Sequence, residues 1–202
     1  MPNWCKNTLN VIGPQEDVQA FMRQAQSDTP LSFNRFVPMP EELAVPAPPF
    51  FAGDLAEPPS FNAGDLDLGM KDPDDDLNAV HEANTLKYGS PHWYDWRRKH
   101  WGTSWEAADV WEPEFSVLED DDLGRACAQY RFRSAWNPPM YVLEAMTLRF
   151  PGLVFLLWWD DPQADRAGYM LAANGQVIDR RSGVSDIRAH ADRPVMAEPC
   201  PF

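Results

Sequence analysis

"ACAQYRFRSAWNPPMYVLEAMTLRFPGLVFLLWW", residues 126–159, decides the fold. Its opening alternates: Ala126, Ala128, Tyr130 and Phe132 fall on one side of an extended chain, and Gln129, Arg131 and Arg133 on the other. That is the pattern of a strand with one core face and one wet face. Asn137-Pro138 then supplies a capping residue followed by proline at the first helical position. Leu143, Met146 and Phe150 carry a helix to the Pro151-Gly152 stop. The run Leu153 to Trp159 is apolar on both faces, as a central strand covered on both sides would be. The stretch spells β-α-β.

Working outward, the same order is read at the amino terminus. Cys5, Leu9 and Val11 alternate with Trp4, Lys6, Thr8 and Asn10 until Gly13-Pro14 ends the strand. Val18, Phe21, Met22 and Ala25 then form a helical stripe, with Glu16 and Asp17 in the first turn near the positive end of the helix dipole. "LSFNRFV", residues 31–37 between two prolines, reads as a second, edge-like strand. After it the grammar breaks. Residues 38–76 are dense in proline, and Asp54 to Asp76 holds eight acidic residues against Lys71 alone. Such a segment buries too little apolar surface to offset its ordering entropy, so an inserted, irregular excursion is expected.

Asp72-Pro73 opens a helix through Lys87 with Leu77, Val80, Ala83 and Asn84 on its buried side. Residues 110–118 read as a strand interrupted by Pro113, and Glu119 to Asp122 as an acidic turn. "YMLAANGQVID" places Asn174-Gly175 between two strand-like runs, the signal of a type I′ hairpin. The expected class is α+β: a ferredoxin-like β-α-β repeat sandwich, with an antiparallel sheet and helices on one face. To it are added an inserted Trp-rich helical segment and a C-terminal β-hairpin. One domain is expected over residues 1–183, with the insertion at about 38–107 and an irregular tail over 184–202.

The 202 residues carry 31 acidic and 17 basic side chains, a net charge of −14. A phosphate backbone meets a repulsive field, so direct nucleic-acid binding is disfavoured, whereas a protein with a basic surface is attracted. Three cysteines without metal-like or paired spacing imply a reducing compartment and no disulfide framework. The amino terminus lacks the features of a secretion signal, and the longest apolar run is too short for a bilayer. A cytoplasmic protein without a membrane segment is expected.

"SPHWYDWRRKHWGTSW", residues 90–105, concentrates four tryptophans and two histidines. Ser90-Pro91 reads as a helix start and Gly102 as its stop. On that helix Trp96, His100, Trp93, Arg97, Trp101 and Tyr94 cover half the circumference, while Asp95 and Lys99 point away. Arg97 lies four residues from both Trp93 and Trp101, close enough to stack between their indoles. Thr103 to Glu106 has the form of a capping box restarting a short helix. An aromatic stripe at helical spacing is usually core, here the anchor that docks an insertion on the sheet. The rival readings are a base-stacking platform with Arg97, Arg98 and Lys99 on phosphates, and a pocket for a small ligand or peptide.

Other chemistry is sparse. His81-Glu82 begins a zinc-binding HExxH, but Thr85 stands where the second histidine belongs. His92 and His100 face directions too different to share an ion, so neither metal nor cofactor is expected. Acidic runs such as Asp74-Asp75-Asp76 and Glu119-Asp120-Asp121-Asp122 are usually solvated surface. No nucleotide-binding or nucleophile-elbow motif occurs in the chain. RNA-recognition modules share this strand order, but Tyr130 and Phe132 fall on the core side of their strand. Arg131 and Arg133 point outward, a patch suited to a partner surface or an internal salt bridge.

Four ordered blocks, "MPNWCKNTLNVIG" (1–13), "FVPMPEEL" (36–43), "YGSPHWYDWRRKHWGTSWEA" (88–107) and "RFRSAWNPPMYVLEAMTLRFPGLVF" (131–155), resemble the YubB ferredoxin-like family of plasmid and phage proteins. The resemblance implies a ferredoxin-like core and carriage on a mobile element; it brings no catalytic residues. The Pro- and Asp-rich segment before residue 77 and the tail after 183 depart from that family. Together these readings lead to the expectation of a non-enzymatic accessory protein that binds a host protein with a basic surface. Its role would be to inhibit a defence system of the anti-restriction or anti-CRISPR type. In a narrower version, Asp74 to Asp76 and Glu119 to Asp122 imitate the phosphates of DNA. The alternative is an enzyme or small-ligand binder with a pocket between the sheet and Trp93, Trp96, Arg97, His100 and Trp101.

Overall fold

A computed structural model of the chain describes residues 3–47, 73–118 and 123–183. Strands β1 (Trp4–Pro14), β2 (Glu114–Val117), β3 (Arg125–Ala135), β4 (Val154–Asp161), β5 (Arg166–Ala173) and β6 (Gln176–Gly183) form one sheet in the order β2-β3-β1-β4-β5-β6. Every neighbouring pair is antiparallel. Helix α1 (Gln15–Ala25) follows β1, α2 (Pro73–Tyr88) and α3 (Trp93–Trp101) precede β2, and α4 (Met140–Arg149) links β3 to β4. The path β1-α1-β2-β3-α4-β4 with β1 between β3 and β4 is the ferredoxin-like arrangement, extended here by the β5–β6 hairpin.

The core lies between the sheet and the helices, because alternation sends one side of each central strand inward. Leu9 pairs with Tyr130 on one side and Leu157 on the other; Val11 pairs with Ala128 and Phe155. Phe21 of α1 stands over this row, its ring 5.3–5.9 Å from those of Phe36, Tyr130, Phe150 and Phe155. From α4, Val142, Leu143 and Met146 are buried beside it. At the far end of the sheet Asn174 and Gly175 both take positive φ, 52° and 74°, as a type I′ turn requires.

Outside the tryptophan segment, the structure departs from the sequence reading in four places. Residues 31–37 make no strand but a 3₁₀ turn, Phe33–Arg35. Leu31, Ser32, Phe33 and Phe36 are all buried, which breaks the alternation a strand requires. The Glu106 carboxylate also takes the N–H groups of Phe33 and Asn34 that a sheet neighbour would need. The partner strand of the first β-α-β unit is instead β2, which begins directly after Pro113.

Helix α2 has its expected span, and of its expected buried side Leu77 and Asn84 are sheltered but Val80 and Ala83 are not. Val80 and Ala83 are exposed, and the sheltered positions are Leu77, His81, Asn84 and Tyr88. Helix α4 starts at Met140 without a side-chain cap, and the Asn137 carbonyl instead accepts the Ser134 hydroxyl. Strand β4 is central, yet it is deeply buried on one side only: Phe155, Leu157, Trp159 and Asp161 are buried, whereas Val154, Leu156 and Trp158 are half-buried on the outer face. The tail expected after residue 183 and the segment over 48–72 lie outside the described residues.

Candidate functional site: the tryptophan segment and its surroundings

The helix of the tryptophan segment starts two residues later than Ser90-Pro91 suggests. His92 occupies the N-cap position in an extended conformation and α3 runs from Trp93. Its stop is Gly102, at φ +84°. A side chain there would meet the Met140 amide and the Pro138 carbonyl at 3.3 Å, so glycine permits both the left-handed turn and the approach to α4.

Trp101 is wholly buried, donates its indole N–H to the Val37 carbonyl at 2.9 Å, and meets Phe33 edge-on. Trp96 packs edge-on against Trp101 and stacks on the His100 ring at 4.4 Å. The Arg97 guanidinium lies 5.2 Å from the centre of the Trp93 ring and 4.7 Å from that of Trp101, the sandwich that the sequence spacing predicts. Burial lowers the pKa of Arg97 and of His100; the charge of Glu106 opposes this at Arg97, and Lys99 adds to it at His100.

Residues 103–106 do not restart a helix. Thr103 donates its hydroxyl to the Ala135 carbonyl, and Glu106 reaches back to residues 32–34, accepting from the Ser32 hydroxyl as well as the two amides. The segment is thus riveted to the core at both ends. Trp93, Trp96 and Trp101 are all buried, which makes them packing surface. A void of about 10 Å³ does lie where Phe33 meets the sheet and α4, lined by Leu9, Phe132, Val142 and other apolar groups. It has room for one water-sized sphere and no polar lining group to hold a ligand.

The outward cations of β3 are already engaged. Arg131 pairs with Glu114 at 3.4 Å and donates twice to Gln129 Oε1; Arg133 pairs with Asp109 at 3.0 Å. Tyr130 and Phe132 face the core as expected. The outer face has its own aromatic pair, which the reading of β3 alone missed. Register places Arg131, Thr8, Trp158, Tyr169 and Arg181 in one row across five strands. Trp158 and Tyr169 touch at 5.0 Å, and the Tyr169 hydroxyl is tied to Asp179 at 2.6 Å.

Of the acidic candidates, Asp74, Asp75 and Asp76 fall in the first turn of α2, while Glu119 to Asp122 lie outside the described residues. The described residues contain no group of three or more histidine, cysteine, aspartate or glutamate side chains placed to hold a metal. They do contain two ionisable clusters that sequence spacing hides. His81 and His92 meet edge-to-face at 5.4 Å, with Asp95 Oδ2 3.6 Å from His92 Nε2. Burial lowers the His92 pKa; the Asp95 charge opposes this and His81 reinforces it.

At one end of the sheet, the buried Asn7 amide donates to Ser134, and the buried Asp161 pairs with Arg166 at 2.9 Å. Burial, reinforced by the Asp161 charge, pushes the nearby Cys5 thiol up to about 12, so it stays protonated and unreactive.

Residues 101–193 match a family model described as a ferredoxin-like domain in Api92-like protein. The match begins at Trp101 and so spans β2 to β6, leaving β1, α1 and α2 outside it. The crystal structure of a protein Api92 from Yersinia pseudotuberculosis is similar over 92% of this chain and 99% of its own, with a TM-score of 0.51 and 11% identity. At that identity the likeness establishes the fold. No curated protein matches the chain. No helix among the described residues is long and apolar enough to cross a membrane.

Proposed function

We propose that this chain is a non-catalytic accessory protein of a phage or plasmid that binds a host protein through a basic surface on that partner and inhibits a defence component. The carrying observation is the net charge of −14, beside ion pairs that engage five of the described cations. Lys87, Arg131, Arg133, Arg166 and Arg181 each lie in an ion pair, with Glu42, Glu114, Asp109, Asp161 and Asp179 respectively. With these cations engaged, the chain as a whole keeps an excess of 14 negative charges. Such a field draws in a basic partner from a distance and repels a phosphate backbone. Burial of Trp93, Trp96 and Trp101 supports the same reading, since it makes the most conspicuous residues of the chain structural. The four sequence blocks that resemble the YubB family support the link to a mobile element.

The acidic runs at Asp74 to Asp76 and Asp120 to Asp122 are the proposed contact groups. The test is capture of host proteins on the immobilised full chain at 50–400 mM salt, beside a variant with those six aspartates changed to asparagine. Specific partners are expected to bind at least tenfold more weakly to the variant and to be lost as salt rises. Absence of any specific partner, or a partner indifferent to both changes, overturns the reading.

A further inference from the structure

Strand β6 is fully formed yet buries none of its side chains. Of its eight residues only Asp179 is even half-sheltered, and the others all face solvent. It pairs with β5 on one side and, among the described residues, with nothing on the other. Ordering a strand at the rim of a sheet without core burial is costly, and its open edge still offers a row of N–H and C=O groups. The opposite rim is differently made: β2 has four residues, and β3 beyond it is met by the bridge between Ala108 and Arg133. Apolar surface gathers at the β6 rim as well. Val177 is 40% exposed, Ile178 61% and Leu148 of α4 68%. Leu148 lies against the hairpin turn, its Cδ2 3.4 Å from where a side chain on Gly175 would begin.

What can occupy this edge is set by the charges along it. Asp179 and Arg181 stand opposite Leu171 and Tyr169 of β5, so both project from the outer face of the sheet. The Tyr169 hydroxyl donates to Asp179 Oδ2 at 2.6 Å, and Arg181 Nε lies 3.5 Å from the same oxygen, which sets the two charges in place on a stiff hairpin. We infer that two copies of the chain join through β6, antiparallel about Arg180, and continue the sheet across a twofold axis. In that register Asp179 of each copy stands opposite Arg181 of the other, so the outer face gains two cross-strand ion pairs. Arg180 meets its own counterpart on the other face, exposed and screened by salt. The bulge that leaves Ile178 without a partner on β5 lies toward the turn, so Asp179 to Gly183 keeps a regular ladder. An edge charged with one sign would repel a second copy; this one is complementary to itself.

The test is sedimentation of the full chain from about 1 to 100 µM in about 150 mM salt, where a monomer–dimer equilibrium is expected. Arg181→Glu sets like charge against like in its own dimer and is expected to weaken association roughly tenfold or more; Asp179→Lys does the same with the opposite sign. A mixture of the two variants is expected to dimerise again, because each supplies the charge that the other lacks. A second measurement reads the register in a Cys200→Ser background. The axis brings the two copies of residue 180 to a Cα separation of about 4.5–5.5 Å, so Arg180→Cys is expected to link the copies under mild oxidation. Residue 182 lies roughly 13 Å from its counterpart, and Ser182→Cys is expected to link at least roughly tenfold more slowly. Arg180→Cys touches neither ion pair, so it decides the question even where a charge variant fails to fold. The proposal is overturned if the parent chain is monomeric at the highest concentration or if both charge variants dimerise like the parent. It is equally overturned if their mixture stays monomeric, or if position 182 links as readily as position 180.

Discussion

Glu106 accepts the backbone N–H of Phe33 across 73 positions of sequence. The same carboxylate takes the Asn34 amide and the Ser32 hydroxyl, so one side chain caps the 3₁₀ turn that delivers Phe33 to the core. Charge-assisted bonds to otherwise orphaned amides are the strong kind. Glu106→Ala is expected to lower the unfolding free energy by about 2–3 kcal/mol in urea denaturation, with Glu106→Gln recovering about half. A Glu106→Ala protein within about 0.5 kcal/mol of the parent would show that the turn forms without its cap.

Arg97 tests a different balance. Its guanidinium is stacked between two indoles, yet its Nε is buried without a hydrogen-bond partner among the described residues. Lysine keeps the charge and loses the planar stack, so Arg97→Lys is expected to cost about 1–2 kcal/mol. Methionine fills the slot and removes the unsatisfied donor, and Arg97→Met is expected to stay within about 1 kcal/mol of the parent. The reverse order of the two variants in thermal or urea unfolding would mean that charge, and not the flat packing, is what the site requires.

Gly168 faces Trp159 across the β4–β5 pair. A methyl group there would fall within 2.5 Å of the indole and against the Arg181 carbonyl. Gly168→Ala is expected to cost about 3 kcal/mol, through displacement of the ring or loss of the β5–β6 pairing. Gly124→Ala provides the comparison: its φ of +62° is strained for alanine, but nothing lies near the added atom. Its cost should be about 1 kcal/mol. Equal melting-point losses in the two variants would argue against the close approach at Gly168.

The second β-α-β unit was legible because its signals are local. Alternation at Ala126 to Phe132 and the Asn174-Gly175 pair act within a few residues of themselves. The misread strand at 31–37 has a different cause: the feature that makes it a turn, Glu106, lies far along the chain. The buried face of α2 was legible only in part: Asn84 was read correctly, but the apolar Val80 points outward and the polar His81 takes a sheltered place. In the tryptophan segment the Arg97 sandwich followed from helical spacing alone. The meeting of His81 with His92 did not, since it depends on how α2 turns back at Gly89 onto α3. Rings at 158 and 169 were missed on the outer face because a run apolar on both sides conceals which side is covered.

The position of β1 sets the order in which the molecule can be completed. Strand β1 lies inside the sheet, and its neighbours stand far along the chain: Gln129 bonds Asn10 from 119 residues away, and Ser134 bonds Asn7 from 127. At translation rates of about 5–20 residues per second, β1 waits roughly 6–25 s for a partner. Strands β4, β5 and β6 come later still and close on one another through short local turns. Strand β1 therefore stays unpaired until β3 has been made, and its place in the sheet is filled on both sides only after β4 has followed.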